Sequence, residues 1–507
     1  MKSAYSVAEV RAAEARLLEQ VPAGALMQRA VAGLTSVCVD LLVDACHGVN
    51  GTRIVLLVGT GNNGGDTLWC GSRLAERGAT VTAITLGSTW HQEGGDALLR
   101  SGGRLIPADS ADCHVVIEEA DLVLDGILGI GGKGSLRGAA ATLTAVAAAS
   151  SAVVVAVDVP SGVDSDTGAV ADPDAVVDAD VTVTFGVLKP GLVVAPGALR
   201  VGDLTLVDIG LRGLDDPVFS VVDEQTSALH LPAPGPTDDK YTRGVVGVVA
   251  GSPPYPGAAV LCTGSARLGG TGMVRYAGSA VDGVAARWPD VVLSHEGPAH
   301  AGKVQAWAIG PGAGTDDAAR QRLSEVLDGD APVLIDADAL TLVANHTGLR
   351  TRIGERADAG KITVMTPHAG EFARLGFALP EGAQADRVGQ VRDAAAQLGV
   401  VLLLKGSHTV VASPSGTVFA NVLSDAALAT AGSGDVLSGL AGSMLAAEFA
   451  RDPNLTPDGA AEVIACAALV HGLAGQLAAA GSRPVTAIDV LDHVPGAIAA
   501  IRGGQGE

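Results

Sequence analysis

Residues Arg53–Asp66 read RIVLLVGTGNNGGD, a short run of branched apolar side chains followed by a glycine-rich turn. Such a run is typical of a strand that is buried on both faces of a parallel sheet. The residues from Thr67 onward have the composition of a helix. Amide groups exposed in a turn of this kind, with a helix N-terminus behind them, bind phosphate without basic side chains. The stretch therefore predicts a strand, a phosphate-binding turn and a helix.

The turn alone leaves a second interpretation open. GTGNNGG departs from the dinucleotide-binding pattern GxGxxG, since two Asn residues stand where spacers are expected. Its glycines could serve only the tight geometry of a strand-to-helix connection.

Similar apolar runs alternate with longer stretches rich in Ala and Leu along the whole chain. This alternation is typical of a three-layer α/β fold, in which helices cover both faces of a parallel sheet. It pauses between Leu211 and Tyr241, a segment with several acids and four prolines. The predicted strands lie at 53–59, 80–87, 120–128, 151–159 and 180–186 before the pause, and at 244–252, 304–314, 332–340, 362–371 and 400–416 after it.

The length of the chain also favours two domains. It has 507 residues, and single cores stop growing beyond roughly 250–300 residues. We place the domain change near residue 220, and we expect long Ala-rich helices from Gly434 onward.

The composition excludes a largely disordered chain, because 48% of the residues are hydrophobic and 17% are charged. A formal net charge of −22 repels phosphate backbones and anionic lipid, so nucleic acid and membrane surfaces are poor partners. The six cysteines lack metal-ligand or CxxC spacing and are expected to be reduced. The N-terminal residues carry charges every few positions, which does not fit a signal peptide and predicts a cytoplasmic protein.

An uncharged stretch from Gly138 to Val157 is about as long as a membrane span of about 20 residues. Its first half is rich in Ala, Ser and Thr, and its second half is β-branched. A helix followed by a buried strand is therefore the better interpretation.

Polar residues follow two further predicted strands in the first half. Asp125 precedes a glycine-rich loop in DLVLDGILGIGGKGSLRG, and Asp158 and Ser161 follow the run in AVVVAVDVPSGVDSDTG. Ligands of open α/β sheets bind in the crevice beyond the carboxyl ends of the strands. We therefore expect these loops to converge with the GNNGGD turn on one site, although Asp158 alone would more often be a helix cap.

GNNGGD, the loop after Asp125 and DVPSGVD, in this order, resemble the motifs of NAD(P)H-hydrate epimerases, and VPAGALMQRA resembles their N-terminal helix. The resemblance covers residues 1–215 and implies a Rossmann-like domain. Thr67 departs from it, since the family usually has Gly there, and is expected to narrow the turn. The resemblance implies phosphate-region contacts by Asn62, Asn63, Gly64, Gly65 and Asp66, substrate contacts by Gly129, Ile130, Gly131, Gly132, Lys133, Gly134 and Ser135, a potassium ion held by Asn63, Asp125 and Ser161, and Asp158 beside the reacting ring.

Inversion at a hydroxylated ring carbon requires proton transfer while the hydroxyl leaves and returns. A buried carboxylate suits that acid–base work. Asp158 is our choice, and Lys133 is a lesser candidate because it belongs to the substrate loop.

In the second half, LATAGSGDVLSGLAGSMLA predicts a helix that opens with an anion-binding group of amides at Gly432, Ser433 and Gly434. Asp435 in its first turn is well placed to accept a proton from a hydroxyl during phosphoryl transfer. This arrangement resembles the ribokinase-like fold. The alternative is that Asp435 only complements the helix dipole.

GPGAG, TPHAGE and LLLKGSHTVV, in this order before GSGD, resemble the ADP-dependent NAD(P)H-hydrate dehydratases over residues 225–502. A lone His368 would more often be a turn histidine, and GSGD replaces the commoner GTGD while keeping the hydroxyl. The resemblance implies that ADP with Mg²⁺ phosphorylates the ring hydroxyl before phosphate is eliminated. It implies substrate contacts by Ala258, Gly314, His368 and Asp435, and ADP or AMP contacts by Lys405, Gly406, Ser407, His408, Thr409 and Gly434.

Together the two halves imply a bifunctional repair enzyme acting on hydrated NADH and NADPH, and the family suggests a homo-oligomer. The alternative is a vitamin or sugar kinase fused to a non-catalytic nucleotide-binding module, in which a phosphorylated product would persist.

Overall fold

The computed structural model describes residues 1–231, 233–422 and 426–503. The chain divides into two compact units. The N-terminal unit comprises Ser3–Val218 together with Pro380–Asp386. The C-terminal unit comprises Met1–Lys2, Phe219–Leu379 and the residues from Arg387 onward.

The first 218 residues contain alternating strands and helices. The strands are β1 (Lys2–Ala4), β2 (Arg53–Val58), β3 (Thr80–Thr85), β4 (Arg104–Pro107), β5 (Leu122–Gly126), β6 (Val153–Val157), β7 (Val181–Phe185) and β8 (Asp203–Val207). The α-helices are α1 (Val7–Leu18), α2 (Ala25–Cys46), α3 (Asn62–Ala75), α4 (Gln92–Arg100), α5 (Cys113–Glu118) and α6 (Ala139–Ala149), and 3-10 turns lie at Pro190–Leu192 and Gly197–Arg200.

The sheet of this unit has the order β4-β3-β2-β5-β6-β7-β8, and every pairing in it is parallel. Successive residues of β2 enter different cores. Ile54 packs with Leu34 of α2 on one face, whereas Val55 packs with Leu143 of α6 on the other. A strand covered by helices on both faces must be apolar throughout, which is why RIVLLV has no polar alternation.

The order of the strands reverses between β2 and β5. The chain adds β3 and β4 on one side of β2, then returns and adds β6 to β8 on the side of β5. The carboxyl ends of strands at such a reversal leave a crevice between diverging loops. The GNNGGD turn follows β2, and Asp125 lies at the end of β5.

From Phe219 onward, strands again alternate with helices. The strands are β9 (Phe219–Val221), β10 (Val245–Val249), β11 (Met273–Tyr276), β12 (Val292–Leu293), β13 (Ala306–Ile309), β14 (Val333–Ile335), β15 (Thr363–Met365), β16 (Val401–Leu404), β17 (Thr409–Ala412) and β18 (Val418–Asn421). The α-helices are α7 (Glu224–Leu229), α8 (Pro256–Ala266), α9 (Val281–Arg287), α10 (Asp317–Asp328), α11 (Ala337–Asn345), α12 (Thr347–Asp358), α13 (Ala369–Arg374), α14 (Arg387–Leu398), α15 (Ser433–Arg451), α16 (Pro457–Ala479) and α17 (Ala487–Gly503), with 3-10 turns at Pro298–His300, Gly382–Gln384 and Ala426–Leu428.

These strands run in the order β9-β18-β17-β16-β15-β14-β13-β10-β11-β12. The order reverses between β10 and β13, so the loops after these two strands diverge at the carboxyl edge. Helices α8, α15, α16 and α17 share one apolar core with the sheet. The small residues of α15 allow this close packing: a Cβ on Gly442 would lie 2.7 Å from Cβ of Ala308 in β13.

All ten predicted strands are present, and residues 138–157 form α6 followed by β6, as expected. Two predictions need correction. The run 400–416 forms two strands, β16 and β17, which pair antiparallel, because the polar turn between them reverses the chain. The pause after Leu211 contains a strand and a short helix, β9 and α7, which are too short to show a period.

Two helices, α2 and α16, are long and apolar enough to cross a membrane by length and composition. Within α16, 78% of the apolar window is buried inside the structure, as expected for the core helix of an α/β unit, against 33% in α2.

Candidate functional sites

A cavity of about 700 Å³ lies at the carboxyl edge of the N-terminal sheet. The loops after β2, β5 and β6 all contribute to it, and α1 and the start of α2 close its other side. The three loops that the sequence singled out therefore do converge.

The turn after β2 requires its glycines. A Cβ on Gly59 would lie 1.9 Å from the carbonyl oxygen of Ile127, and one on Gly64 would lie 2.3 Å from the carbonyl oxygen of Gly59. The backbone thus passes close to the neighbouring strand end, and α3 begins at Asn62, which lines the cavity together with Asn63. The phosphate contacts that the motif implies stay a prediction, for which the start of a helix at the cavity is suited.

Thr67 is fully buried and its hydroxyl donates to the carbonyl oxygen of Asn63 at 2.7 Å. A Cβ on Gly126 would lie 2.0 Å from Oγ1 of Thr67. The threonine therefore packs against the end of β5, and its narrowing of the turn stays a prediction.

The proposed potassium ligands lie together around Leu128. Asn63 Nδ2 donates to the carbonyl oxygen of Leu128 at 2.9 Å, and the Leu128 amide donates to Ser161 Oγ at 2.9 Å. Ser161 in turn donates to Asp125 through its amide, at 2.8 Å, and its hydroxyl, at 2.7 Å. The donor set is oxygen-rich, as hard cations prefer.

Asp125 is fully buried, and burial raises the pKa of its carboxyl group to about 6, although hydrogen bonds from Ser161 and Ile127 oppose that rise. Among the described residues, the ion pairs include none with Asp125. A buried carboxylate that lacks a basic side chain is suited to a bound cation.

Asp158, by contrast, has a lysine partner that sequence reasoning missed. Lys189 is 1% exposed and its Nζ lies 2.7 Å from Oδ1 of Asp158. The same ammonium group donates to Oγ1 of Thr184 and to the carbonyl oxygen of Phe185, both at 2.9 Å. Asp158 itself has a φ of 68°, a left-handed conformation that turns its side chain at the strand end.

The loop after β5 contributes only its first part to the cavity. Gly129, Ile130, Gly131 and Gly132 line it. The remaining predicted contacts, Lys133, Gly134 and Ser135, do not belong to its lining, and Lys133 is exposed. Three further carboxyl side chains line the cavity: Asp66 of the GNNGGD turn, Glu14 of α1 and Glu93 of α4. No sequence motif indicated Glu14 or Glu93.

In the C-terminal unit, Asp435 lies in the first turn of α15, which begins at Ser433 with Gly432 as its N-cap at a φ of 91°. The predicted helix start is therefore present. Burial, followed by the charge of Asp336, raises the pKa of Asp435 to about 6, while Lys405 opposes the rise.

Lys405 connects this helix to the loops after β14 and β15. Its Nζ lies 2.7 Å from Oδ1 of Asp336 and 3.8 Å from Oε2 of Glu371. Burial lowers the pKa of Lys405, but the two carboxylates outweigh it, so that the net shift is upward. A Cβ on Gly434 would lie 3.6 Å from the same ammonium group, which places the charge beside the amides of α15.

His368 caps helix α13. Its Nδ1 accepts from the amides of Gly370 and Glu371 at 3.0 and 3.3 Å, and Oε2 of Glu371 accepts from the amide of His368 at 2.9 Å. The turn-histidine interpretation therefore accounts for Nδ1. The side chain is 54% exposed, so a substrate contact through Nε2 stays a prediction.

The other predicted contacts of this half surround the same sheet edge. Ala258 lies in the first turn of α8, and a Cβ on Gly312 would lie 2.7 Å from its Cβ. The amide of Gly314 donates to Asp338 at 2.9 Å. Gly406, Ser407 and His408 form the turn between β16 and β17, and Thr409 begins β17. Burial, then the charge of Arg387, lowers the pKa of His408 to about 4, which keeps its ring neutral.

Comparison with known proteins finds a family match in each half of the chain. The sequence pattern of the NAD(P)H-hydrate dehydratase family matches residues 246–495, and the pattern of the YjeF-related protein N-terminus matches residues 23–191. A bifunctional NAD(P)H-hydrate repair enzyme of Mycobacterium leprae is 46% identical over 99% of this chain and 100% of its own length.

The chain belongs to the family of bifunctional NAD(P)H-hydrate repair enzymes. A further member, from Corynebacterium glutamicum, is 35% identical over 99% of both chains. Among solved structures, an ADP/ATP-dependent NAD(P)H-hydrate dehydratase from Bacillus subtilis, co-crystallised with ATP and Mg²⁺, is 25% identical, with a TM-score of 0.45 over 56% of this chain and 99% of its own. The family, the enzyme class and the α/β fold expected from the motifs are confirmed.

Two of the residues that the motifs missed share one property. Lys189 and Asp336 each act on a site through a partner that is distant in sequence: Asp158 precedes Lys189 by 31 residues, and Lys405 follows Asp336 by 69 residues. In VLIDADAL, Asp336 directly follows an apolar run. Its position at the end of a predicted strand could therefore have indicated a site residue. For Lys189, the signal was a lysine in the otherwise apolar segment FGVLKPGLVV.

We predict that Lys189→Met lowers the free energy of unfolding of the N-terminal unit by about 3 kcal/mol, because the buried carboxylate of Asp158 loses its countercharge. Urea unfolding of the full chain measures the loss, and hydrogen exchange at β6 and β7 assigns it to this unit. The control is Lys133→Met, an exposed lysine in the neighbouring loop, for which a change within about 0.5 kcal/mol is expected. Equal losses in both variants would contradict the importance of the ion pair.

Proposed function

We propose that this chain interconverts the two hydroxyl configurations of hydrated NADH and NADPH in its N-terminal unit. In its C-terminal unit it dehydrates the S configuration to NAD(P)H at the expense of ADP, giving AMP and phosphate. The observation that carries the proposal is that each unit holds a carboxylate, Asp158 or Asp435, at the carboxyl edge of its own parallel sheet, beside helix amides suited to phosphate.

In the N-terminal unit, the amides at the start of α3 bind the phosphate region of the substrate, and Asn62, Asn63, Gly64 and Gly65 supply the turn. Gly129–Gly132 also line the cavity. Asp158, which is ion-paired with Lys189 at 2.7 Å, accepts a proton at the ring. In the described part of the structure, all three hydrogen bonds to the carboxylate of Asp158 are accepted by Oδ1. This leaves Oδ2 for the substrate.

A potassium ion fits the oxygens of Asn63, Asp125 and Ser161, because Asp125 is buried without a basic partner. Bound there, K⁺ supplies positive charge at the phosphate-binding edge. The residues themselves fix the loop after β5: Ser161 and Asn63 hold the main chain of Leu128 through hydrogen bonds.

In the C-terminal unit, Asp435 accepts the proton of the ring hydroxyl as that oxygen attacks the terminal phosphorus of ADP. The amides of Gly432, Ser433 and Gly434 together with Lys405 stabilise the charge on the transferred group. AMP is released. Phosphate then leaves the ring carbon more readily than hydroxide would, and loss of a proton from the adjacent ring carbon to water restores the double bond. The turn Gly406–Thr409 binds the nucleotide, and Ala258, Gly314 and His368 contact the hydrated ring substrate.

A divalent cation would enter this site with the nucleotide. Among the described residues there is no cluster of three or more His, Cys, Asp or Glu side chains that could hold a metal. Mg²⁺ commonly uses one or two carboxylates plus substrate phosphates. Asp338 would hold it through Oδ1, because the amide of Gly314 donates to Oδ2, whereas Lys405 and Ser438 donate to the two oxygens of Asp336. Bound there, Mg²⁺ would neutralise the charge of the transferred phosphoryl group.

We also propose that the protein works in the cytoplasm, where both nicotinamide pools and ADP are present, and that it self-associates. The charge of −22 is consistent with the absence of nucleic-acid or membrane partners.

We predict that Asp435→Asn lowers the rate of dehydration by about 100- to 10,000-fold, because the amide cannot accept the hydroxyl proton. Epimerisation by the same preparation should be unchanged, which controls for folding and concentration. Absorbance of reduced nicotinamide measures dehydration with ADP, and with ATP in parallel. Activity of the variant within tenfold of wild type would contradict the role of Asp435, and a phosphorylated product that persists would favour a kinase.

The same carboxylate gives a pH dependence. Because the pKa of Asp435 is raised to about 6, the group keeps its proton below that pH and cannot act as a base. The kcat/KM of wild-type dehydration should therefore fall about tenfold per pH unit below 6, and the residual activity of Asp435→Asn should lack this limb.

We predict that the Asp158→Ala protein repairs only one of the two epimers in a mixed hydrate pool, because the dehydratase pocket presents only one hydroxyl configuration to Asp435. Wild-type protein with ADP and Mg²⁺ should consume the whole pool, while the variant stalls with the other epimer apart from slow spontaneous inversion. Chromatography of the remaining hydrate measures the outcome.

Replacing K⁺ by an equal concentration of choline should slow inversion by the wild-type protein, as the Asp158→Ala substitution does. The reason is that choline is too large for the oxygen site. Complete consumption by Asp158→Ala, well above the spontaneous rate, would show that another group carries the proton.

A further inference from the structure

Four carboxyl side chains line the N-terminal cavity. Glu93 is exposed, and the other three differ in their surroundings. Asp158 is paired with Lys189 at 2.7 Å. Asp66 is 9% exposed, and its Oδ1 is buried without a hydrogen-bond partner among the described residues. Glu14 projects from α1 on the opposite side. Asp158 thus contacts a lysine ammonium group. Asp66, by contrast, is buried, and one of its carboxyl oxygens has no hydrogen-bond partner in the described part of the chain.

Burial without a partner favours the protonated form of Asp66. Burial is the main cause that raises the pKa of Asp66 well above its ordinary value, and the charges of Asp158 and Glu14 raise it further. Two carboxyl groups in one cavity that differ in this way are suited to opposite tasks, one as acid and one as base.

Inversion of the hydrate needs both tasks. The hydroxyl departs more easily when it is protonated, and the ring nitrogen next to the reacting carbon stabilises the positive charge that develops. A water molecule must then return to the opposite face and lose a proton. Asp158 alone supplies only one of these two proton transfers.

We propose, resting on the epimerase activity proposed above, that Asp66 is a second catalytic residue of the N-terminal site and acts as the general acid. Its carboxyl proton passes to the ring hydroxyl, and the carbon–oxygen bond breaks with its electron pair remaining on the departing water. The nitrogen lone pair forms a carbon–nitrogen double bond. A second water then adds to the other face, its proton passes to Asp158, and the double-bond electrons return to nitrogen.

The site is reset when the proton passes from Asp158 back to Asp66 through water, so no oxidant or further reactant is consumed. For the opposite epimer the two carboxyl groups exchange roles, as microscopic reversibility requires.

This role differs from the phosphate contact that the motif implies for Asp66. A carboxylate repels phosphate, whereas the amides of the turn suffice to bind it. Glu14 is the alternative acid. Its pKa is also raised, mainly by burial and then by Asp158, but Lys189 and Arg11 oppose that rise, and its carboxyl group is not among the buried atoms that lack a partner.

The test uses the full chain with Asp66→Asn, which preserves size and removes the proton, and Glu14→Gln as the matched comparison. Starting from one purified epimer of hydrated NADH without ADP, we expect kcat for inversion to fall at least about 100-fold in Asp66→Asn. KM should stay within about threefold of wild type, and kcat of Glu14→Gln should stay within about threefold. A raised KM with unchanged kcat, or a larger loss in Glu14→Gln, would overturn the assignment.

A second measurement does not depend on how the variant folds. In H₂¹⁸O, the epimer formed by wild type should carry one solvent oxygen per inversion, after correction for spontaneous exchange. Inversion that retains the original oxygen would overturn the proposed step. A wild-type protein that does not invert the hydrate at all would overturn the proposed epimerase function itself, and this inference with it.

Discussion

Burial of negative charge at the carboxyl edge of a parallel sheet is the constraint on which both sites depend. Moving a carboxylate out of water is costly unless a countercharge accompanies it. In each unit a lysine from a later part of the chain meets this requirement: Lys189 pairs with Asp158, and Lys405 pairs with Asp336, both at 2.7 Å. The loops that carry these residues are thereby held in the positions that the chemistry needs.

The acids that lack a lysine show what the remaining positions are suited for. Asp125 receives donors from Ser161 and Ile127 but no basic side chain, so its surroundings fit a cation. Asp66 has a buried oxygen without a hydrogen-bond partner among the described residues, so its surroundings favour the protonated carboxyl group. Asp435 is intermediate. Burial and the charge of Asp336 raise its pKa, and Lys405 partly opposes this rise. The same residue type therefore serves different roles because its neighbours differ.

Much of the fold could be predicted from the sequence because strands buried on both faces must be apolar throughout, as RIVLLV is. The edge strands β4, β8 and β12 were not predicted, since they are half-exposed and mixed in composition. The loops of the N-terminal site could be located because strand ends carry their polar residues in a recognisable order. Lys189 could not, since its partner Asp158 lies 31 residues away in the sequence, and Glu14 could not, since it belongs to none of the motifs. The orientation of Lys133, which is exposed rather than in the cavity, depends on loop geometry that local composition does not determine.

The central claim is that two independent active sites, in separate units, act on one pool of hydrate. Mixing the Asp158→Ala and Asp435→Asn proteins tests it most directly, because each retains the site that the other lacks and the substrate diffuses between them. With a mixed pool of hydrated NADH, ADP, Mg²⁺ and K⁺, the account predicts that the mixture restores all of the reduced nicotinamide, as wild type does. A mixture that stalls at the yield of Asp158→Ala alone would contradict it.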